Sequence, residues 1–578
     1  MTFLRRAVPV VSTIIAALVA HAGEPPSLQV RLDAAIRAGR QEIALPAGVL
    51  RLDAGLRIVN ATNLTINGPQ TTLVFTNQKG FGFTFHNCRD VALRGVMIDF
   101  DPLPFTQGTI TKMADDRSWC EFAVHDGYPS LGEDYLVKHV HIFERDRPRW
   151  KTEAPDVYAR KVTALDPRHG RIEVPPTRDY FAHVEAGDRL VLNKREGGAV
   201  SARQCENFRV EGVTILGGPG GGVICRYMRG DNRFSFDIRP GPPPAGAKEP
   251  RLMSTCADGF NYAYARRGPV VENCHFSFMG DDSVNLHGYT FLVTEAVSPT
   301  ELLVGWPYTR ESVEWTIEPG DAARLLRAGN YAIAGQAAIE SFRHEREPAE
   351  NLVAKLKAFW PRTPTTKPAI FRVKLREPLP ATVGDAMDIP ATSVPDWRIS
   401  GCEFRDHRAR GLRIMSPRGV IENNRFLRLK HAAISLGPEY VFWREAGWVE
   451  DVTVRGNHIE DCGLTPDMFK PTSATLGAIS IIGRKEDPKS PQSFYDGTRR
   501  IVIEKNTITG CALAGIWARC ARDLTVRDNI IRNVNLKNVP EAGRELGHDV
   551  RGPIDVRGVA EVTLTGNRIE PPAHIDSK

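Results

Sequence analysis

The sequence is short of the features that mark several common protein classes. Among its 578 residues there is no Cys-x-x-Cys pair, only ten cysteines, and 8% aromatic residues; neither a disulfide scaffold nor a zinc ribbon is indicated. Beyond the N-terminus no apolar run is long enough to cross a bilayer as a helix. Charge of one sign is also lacking. The formal balance is +6, from 75 basic against 69 acidic groups, which is too weak at this length to argue for nucleic acid. The basic cluster Arg145-Asp146-Arg147-Pro148-Arg149 is interleaved with acid and reads as a solvated loop. A helical pattern is nearly absent after residue 38. What is present is 42% hydrophobic and 25% charged residues with 50 Gly and 41 Pro, the composition of an ordinary globular chain rich in turns.

Residues 1–22 stand apart. Arg5 and Arg6 precede an apolar stretch from Ala7 to Ala20, and Ala20-His21-Ala22 is a small-x-small cleavage pattern, so an export signal is expected, with the mature chain periplasmic or secreted. No Cys stands at the cleavage point to take a lipid. Removing the two arginines leaves 73 basic against 69 acidic groups, or +4, on a soluble chain.

The rest of the chain repeats. Asn63-Leu-Thr-Ile-Asn-Gly, Asp90-Val-Ala-Leu-Arg-Gly, Asn207-Phe-Arg-Val-Glu-Gly, Asp451-Val-Thr-Val-Arg-Gly, Asp523-Leu-Thr-Val-Arg-Asp and Glu561-Val-Thr-Leu-Thr-Gly share one pattern. Polar and apolar residues alternate, which gives short strands with one buried face, and Gly or Asn supplies the bend that follows. Asn506 to Asn529 is 23 residues and Asn424 to Asn457 is 33, so the unit is one three-strand coil with loops of varying length. Coils of this kind stack into an all-β, right-handed parallel β-helix. The segment Ser27–Ala38, with Leu28, Leu32, Ala35 and Ile36 on one stripe, is expected to be a helix that covers the open end.

The pattern breaks twice, near 101–195 and 290–392, and the breaks resemble each other: each carries a strand-like stretch and ends in Gly-Asp, at Gly187-Asp188 and Gly384-Asp385. Two small β-barrel or sandwich insertions are expected on the solenoid. The organisation read from the sequence is thus 1–22 signal peptide, 23–100 first coils with the capping helix, 101–195 first β-barrel insertion, 196–289 coils, 290–392 second β-barrel insertion, and 393–578 final coils. Pro240 to Gly246 and the stretch 484–500 read as loops. Cys274, Cys402, Cys462 and Cys511 fall at similar strand-turn places and read as buried fillers of stacked turns.

The densest acidic group lies between the insertions: Asp258 in Ala-Asp-Gly, then Asp281 and Asp282 in Gly-Asp-Asp, followed by Asn285 and His287. Asp258 and Asp281 are 23 residues apart, one short coil, so both carboxylates can open into one groove. Counting in twos sends Phe276, Phe278, Val284 and Leu286 inward, and His275, Ser277, Asp281, Asn285 and His287 outward. The same count would bury Asp282. A bend at Gly280 or a buried donor is needed to avoid an unpaired interior charge. Three carboxyls in one cleft repel, which keeps one protonated near neutrality and yields an acid beside a base. The plain structural alternative is a turn-capping Asp pair or a calcium loop.

At these residues the sequence resembles glycoside hydrolase family 110, the α-1,3-galactosidases acting on blood-group-B-type galactose, and more distantly the polygalacturonases of family 28. The resemblance covers essentially the mature chain. It implies a β-helix with two β-barrel insertions and an exo-acting, inverting hydrolysis of terminal α-1,3-linked galactose that needs no cofactor or metal. It further implies Asp281 as general acid, with Asp258 and Asp282 orienting and deprotonating water, and Asn285 and His287 are candidates for binding sugar hydroxyls. The expected partner is an α-galactosyl glycan, with no nucleic acid and no membrane span; the oligomeric state is open, a homodimer included. Where polygalacturonases commonly carry Arg-Ile-Lys for the uronate, this chain has Arg413-Ile414-Met415, and the missing ammonium favours a neutral sugar.

Two rival readings stay open: a hydrolase or lyase of acidic polysaccharide, and a non-catalytic β-helix that binds glycans. Three weaker features complete the reading. Gly217 to Gly222 lacks a following helix and reads as a turn at which substrate can approach backbone. His139 and His141 share a strand face, have no third ligand nearby and read as a solvated pair. Tyr262, Trp443 and Trp517 are candidates for a sugar platform.

Overall fold

A computed structural model describes residues 27–570 apart from 310–312, 362, 364, 366, 441, 464–474, 483–496 and 537–548. The expected export signal lies outside the described residues, as does most of the expected loop at 484–500.

The alternating segments form the coils the repeat implies. Their strands pair in parallel from coil to coil and build a 22-stranded sheet and an 11-stranded sheet. The larger sheet bends over two walls of the solenoid. Arg209–Ile215 and Arg233–Ile238 run through both walls, pairing at their first residues with one stack and at their last with the other. The 11-stranded sheet, from Leu56–Val59 to Ile554–Val556, is the third wall. One continuous apolar core fills the coils, including Phe83, Phe208, Phe260, Phe276, Phe404, Phe426 and Ile503, each fully buried. Right-handed parallel β-helix is the fold class.

A buried asparagine ladder runs along one corner. Asn424, Asn457, Asn506 and Asn529 each donate from Nδ2 to the Oδ1 of the next asparagine, ending on Asn567, at 3.0, 2.9, 3.0 and 2.9 Å. Each also donates to a carbonyl of the preceding coil. The side chain thereby satisfies backbone groups that the turn would leave buried without partners. The cysteines fill neighbouring corners: Cys88, Cys205, Cys274, Cys402, Cys462 and Cys511 are buried, unbridged thiols, as their spacing suggests.

The helix forms at Leu28–Arg37, with the Ser27 hydroxyl accepting from the Val30 N–H. Leu32 is fully buried, and Leu28 and Ile36 pack against the same core. Gln29 explains how it covers the end. Its amide donates to the carbonyl of Arg57 and accepts from the Arg57 N–H, both at 2.8 Å, so one side chain occupies backbone groups of the terminal strand that no further coil would pair.

The insertions differ from each other. The second, from Phe291–Ser298 to Ala386–Asp388, is a closed six-stranded antiparallel barrel. The first, from Phe105–Met113 to Arg189–Asn193, is a seven-stranded antiparallel sheet whose hydrogen bonding ends at Val157–Tyr158 on one edge and Lys161–Ala164 on the other. The resemblance of their sequences therefore reflects shared strand and turn chemistry, not one shared closure. Neither hangs loosely. The first insertion's core takes in Leu252, Met253 and Cys256 of the solenoid, and the barrel's core takes in Tyr227, Tyr264 and Tyr289.

Candidate active site

The three aspartates meet between the insertions. One oxygen from each of Asp258, Asp281 and Asp282 lies within 4.8 Å of the others. Their register is offset by one from the simplest count: Phe260 pairs with Val284 and Asn261 with Asn285, and the Gly259 N–H donates to the carbonyl of Asp282 at 2.8 Å. Asp282 is thus the residue stacked on Asp258, and Asp281 precedes it in the turn.

The alternation holds on the strand and fails in the turn. Val284 and Leu286 enter the core while Asn285 and His287 face away from it. Phe278, expected inward, sits at φ +59°, and this left-handed residue swings its ring onto the first insertion's core while Met279 takes the place inside the solenoid. The kink also frees the following aspartates from strand parity.

Each aspartate has its own surroundings. Asp282 is 2% exposed and is held by Arg410, whose Nε and Nη2 donate to its two oxygens at 2.9 Å. Asp281 pairs with Arg195 and with Arg408, the latter at 3.0 Å; burial would push its carboxyl up, but the charges of Arg408 and Arg195 outweigh that and hold it below the usual carboxylate range. Among the described residues Asp258 has no guanidinium of its own. It accepts from Asn261 Nδ2 at 2.7 Å, and burial, followed by the charges of Asp281 and Asp282, pushes its carboxyl up to about 8. At neutral pH these opposite shifts favour a proton on Asp258 over one on Asp281. Asp281, to which the resemblance gives the acid role, is the carboxyl that its two guanidinium neighbours hold ionised.

These oxygens are close enough to ligate a cation, yet Arg195, Arg408 and Arg410 already neutralise two of the three carboxylates. A divalent ion would have to displace them, so the residues fit a proton better than a metal.

Beyond the aspartates a polar ladder climbs the outer face of the third wall: Asn261, Asn285, Arg413, Ser435 and Ser480 are register neighbours on successive strands. Asn285 and His287 are 6% and 3% exposed. They are covered because Gly288 bridges Ala446 of a neighbouring loop, which brings Glu445 to 3.8 Å from His287 Nε2. The Oδ1 atoms of Asn261 and Asn285 are buried with no hydrogen-bond partner among the described residues, a costly arrangement for a purely structural surface. His287 is kept neutral by burial and by Arg226. Burial, partly offset by Arg413, brings the Glu445 carboxyl up to about 7, with Glu439 adding to the rise.

Several expectations change. His139 and His141 are not solvated but buried, at 8% and 2% exposed. Tyr262 is a core residue whose hydroxyl donates to the Arg267 carbonyl, Trp517 is buried, and of the three candidate platforms only Trp443 is exposed. The glycine run serves packing: a Cβ on Gly220 would stand 2.1 Å from the Gly197 carbonyl oxygen, and one on Gly222 2.5 Å from that of Gly259, so coils meet backbone to backbone there. Sequence reasoning missed Arg195, Arg408, Arg410 and Glu445. Arg195 could have been suspected from its place where the first insertion rejoins the coils.

The family described as right handed beta helix region matches residues 391–570. Over more of the chain, the sequence is similar to an alpha-1,3-galactosidase B of Bacteroides thetaiotaomicron, 23% identical over 536 residues, covering 88% of this chain and 78% of that one. An alpha-1,3-galactosidase A of Shewanella woodyi is 24% identical over 470 residues, covering 77% and 70%. The likeness to the α-1,3-galactosidases drawn from the aspartate motifs is therefore borne out. Among solved structures, a Family 28 exopolygalacturonase of Yersinia enterocolitica aligns over 93% of this chain and 75% of its own at 10% identity, with a TM-score of 0.37.

Proposed function

We propose that this protein is a glycoside hydrolase that removes terminal α-1,3-linked galactose from glycans, exo-acting and with inversion, exported from the cytoplasm and using Asp258, Asp281 and Asp282. The observation that carries the reading is the meeting of three carboxyls beside the buried, unpaired amide oxygens of Asn261 and Asn285, with the Asp258 carboxyl pushed up by burial and by its two acidic neighbours. The named relatives support a glycosidase acting on α-galactosides. Enclosure of Asn285 and His287 beneath the Glu445 loop supports a site that takes a chain end, and neutral amide and imidazole groups suit sugar hydroxyls.

The proton count suggests how the residues divide the work. Asp258 stores the proton in the resting site, and Asp281 receives it when the glycosidic oxygen draws near and Arg195, itself partly exposed, gives way. Asp281 passes the proton to that oxygen as its bond to the anomeric carbon breaks. Water attacks the same carbon from the opposite face. Its proton goes to Asp258, with Asp282 fixed by Arg410 as the second hydrogen-bond acceptor, and the cycle closes with the proton back where it began. Inverting enzymes commonly hold their carboxyls roughly 6.5–9.5 Å apart to admit the water between them; the proposed mechanism instead has Asp258 and Asp282 together hold the water, on the face of the sugar opposite Asp281.

Proton NMR of the hydrolysis of linear and fucosylated Galα1-3Gal substrates tests this. β-Galactose appearing first supports the proposal, and α-galactose appearing first, or no galactose at all, defeats it.

A further inference from the structure

The groups around Asp281 are assembled by the first insertion as much as by the solenoid. Its edge strand Val157–Tyr158 pairs with His139–Phe143 and sets Tyr158 opposite His139. His139 Nδ1 lies 2.9 Å from Asn193 Oδ1, and Asn193 donates to the carbonyl of Cys256, two residues before Asp258, at 2.9 Å. Two residues past Asn193, Arg195 pairs with Asp281. From the other direction Asp156, two residues before Tyr158, binds Arg408 Nε at 2.8 Å, and Arg408 reaches Asp281 at 3.0 Å. Tyr158 is therefore tied on both sides to the partners of Asp281.

Its ring is open nonetheless. Tyr158 is 48% exposed, although its centroid lies 5.1 Å from that of His139; the imidazole backs the ring and steadies it. A lone exposed aromatic is unremarkable on a protein surface. The other exposed aromatics among the described residues, Phe359 and Trp443, lie on the barrel's helix Glu350–Phe359 and on the Glu445 loop, and neither belongs to the segments that supply Arg195 and Asp156.

Resting on the hydrolase reading above, we propose that Tyr158 is the platform for the leaving sugar, the residue on the far side of the scissile bond from the galactose being released. The chemistry fixes the side. Asp281 hands its proton to the glycosidic oxygen, so the departing ring lies next to Asp281, while the galactose ring lies toward Asn261 and Asn285. A phenol with an apolar face and a polar tip suits the face and rim hydroxyls of a pyranose, and the packed strand holds it at little entropic cost. The first insertion thereby selects what galactose is attached to, and the solenoid selects galactose.

The test compares a Galα1-3Gal glycan with α-galactosyl fluoride, which has no leaving sugar and needs no proton donor for fluoride, in the full-length protein and in Tyr158→Ala and Tyr158→Phe, with thermal melts to verify folding. In Tyr158→Ala the ratio of kcat/KM for the glycan to that for the fluoride should fall about tenfold, mainly through KM, equivalent to the loss of one aromatic contact. Tyr158→Phe keeps the ring and should keep most of that ratio. Equal losses on both substrates would make Tyr158 a structural residue and overturn the proposal, as would no loss on the glycan. If the unsubstituted protein hydrolyses neither substrate, the galactosidase reading fails first, and this inference with it.

Discussion

Arg410 grips Asp282 at both carboxylate oxygens and adds its own backbone N–H to Oδ1, all at 2.9 Å. The pair is nearly sealed from water, with Asp282 side-chain exposure of 3%. Removing one partner of such a pair leaves a buried charge without its counter-ion, at a cost of about 3–5 kcal/mol. Arg410→Ala should therefore lower the urea midpoint of unfolding strongly, whereas Arg425→Ala, at the far more exposed pair with Glu403, should shift it by little, about 1 kcal/mol or less.

Asp258 makes stability depend on pH in a set direction. Its carboxyl titrates at about 8 in the folded chain and at about 3.9 when unfolded. Between these values the folded state keeps a proton that the unfolded state has released, so the group's contribution is full below about pH 4 and is lost as pH rises through 8. Asp258→Asn cannot ionise and escapes the loss. The melting temperature of the variant relative to the unsubstituted protein should rise between pH 5 and pH 9; a difference that does not vary with pH would take the proton off Asp258.

Asp281 carries the opposite sign. Arg408 and Arg195 depress its carboxyl in the folded state against the effect of burial, so its contribution is present above about pH 4 and fades as the solution is acidified through the depressed value. Asp281→Asn should thus be destabilised at pH 7 by more than at pH 3, read from the same melts.

The raised Asp258 carboxyl also bears on activity. Hydrolysis should decline above pH about 8, where Asp258 loses the proton that the cycle passes to Asp281. A kcat/KM profile flat to pH 10 would contradict that storage role.

The asparagine ladder is a structural counterpart. Asn457→Ala removes the donors to Ile421 and Asn506 and the acceptor for the Asn424 N–H, leaving buried groups unpaired. Each orphaned group costs about 1–3 kcal/mol, so the variant should unfold at markedly lower denaturant than a substitution at exposed Asn77.

The coils were legible because they obey two local rules, alternation along a strand and an Asn or Gly at the bend; Asn506 and Asn529, and Ser27 before its helix, can be read from a dozen residues each. The aspartate cluster was legible for the same reason, since register converts a spacing of one coil into contact. Where the chain leaves strand geometry the reading failed, as at Phe278, whose left-handed φ exchanges the places of Phe278 and Met279. The arginines were invisible for a different reason. Arg410 lies 128 residues from Asp282, across the second insertion, and Arg195 lies 86 from Asp281, where the first insertion rejoins the coils and outside the repeat itself, so no periodicity links either pair. Whether an antiparallel insertion closes into a barrel depends on which edge strands meet, and alternation does not encode that.

Turnover of a Galα1-3Gal substrate by Asp281→Asn, with the fold checked by circular dichroism, tests the central claim most directly. A group that moves a proton in the transition state contributes roughly 10²–10⁴-fold, and a loss of that size in a folded variant is the predicted result. A folded variant that turns over within about twofold of the unsubstituted protein would place the chemistry elsewhere.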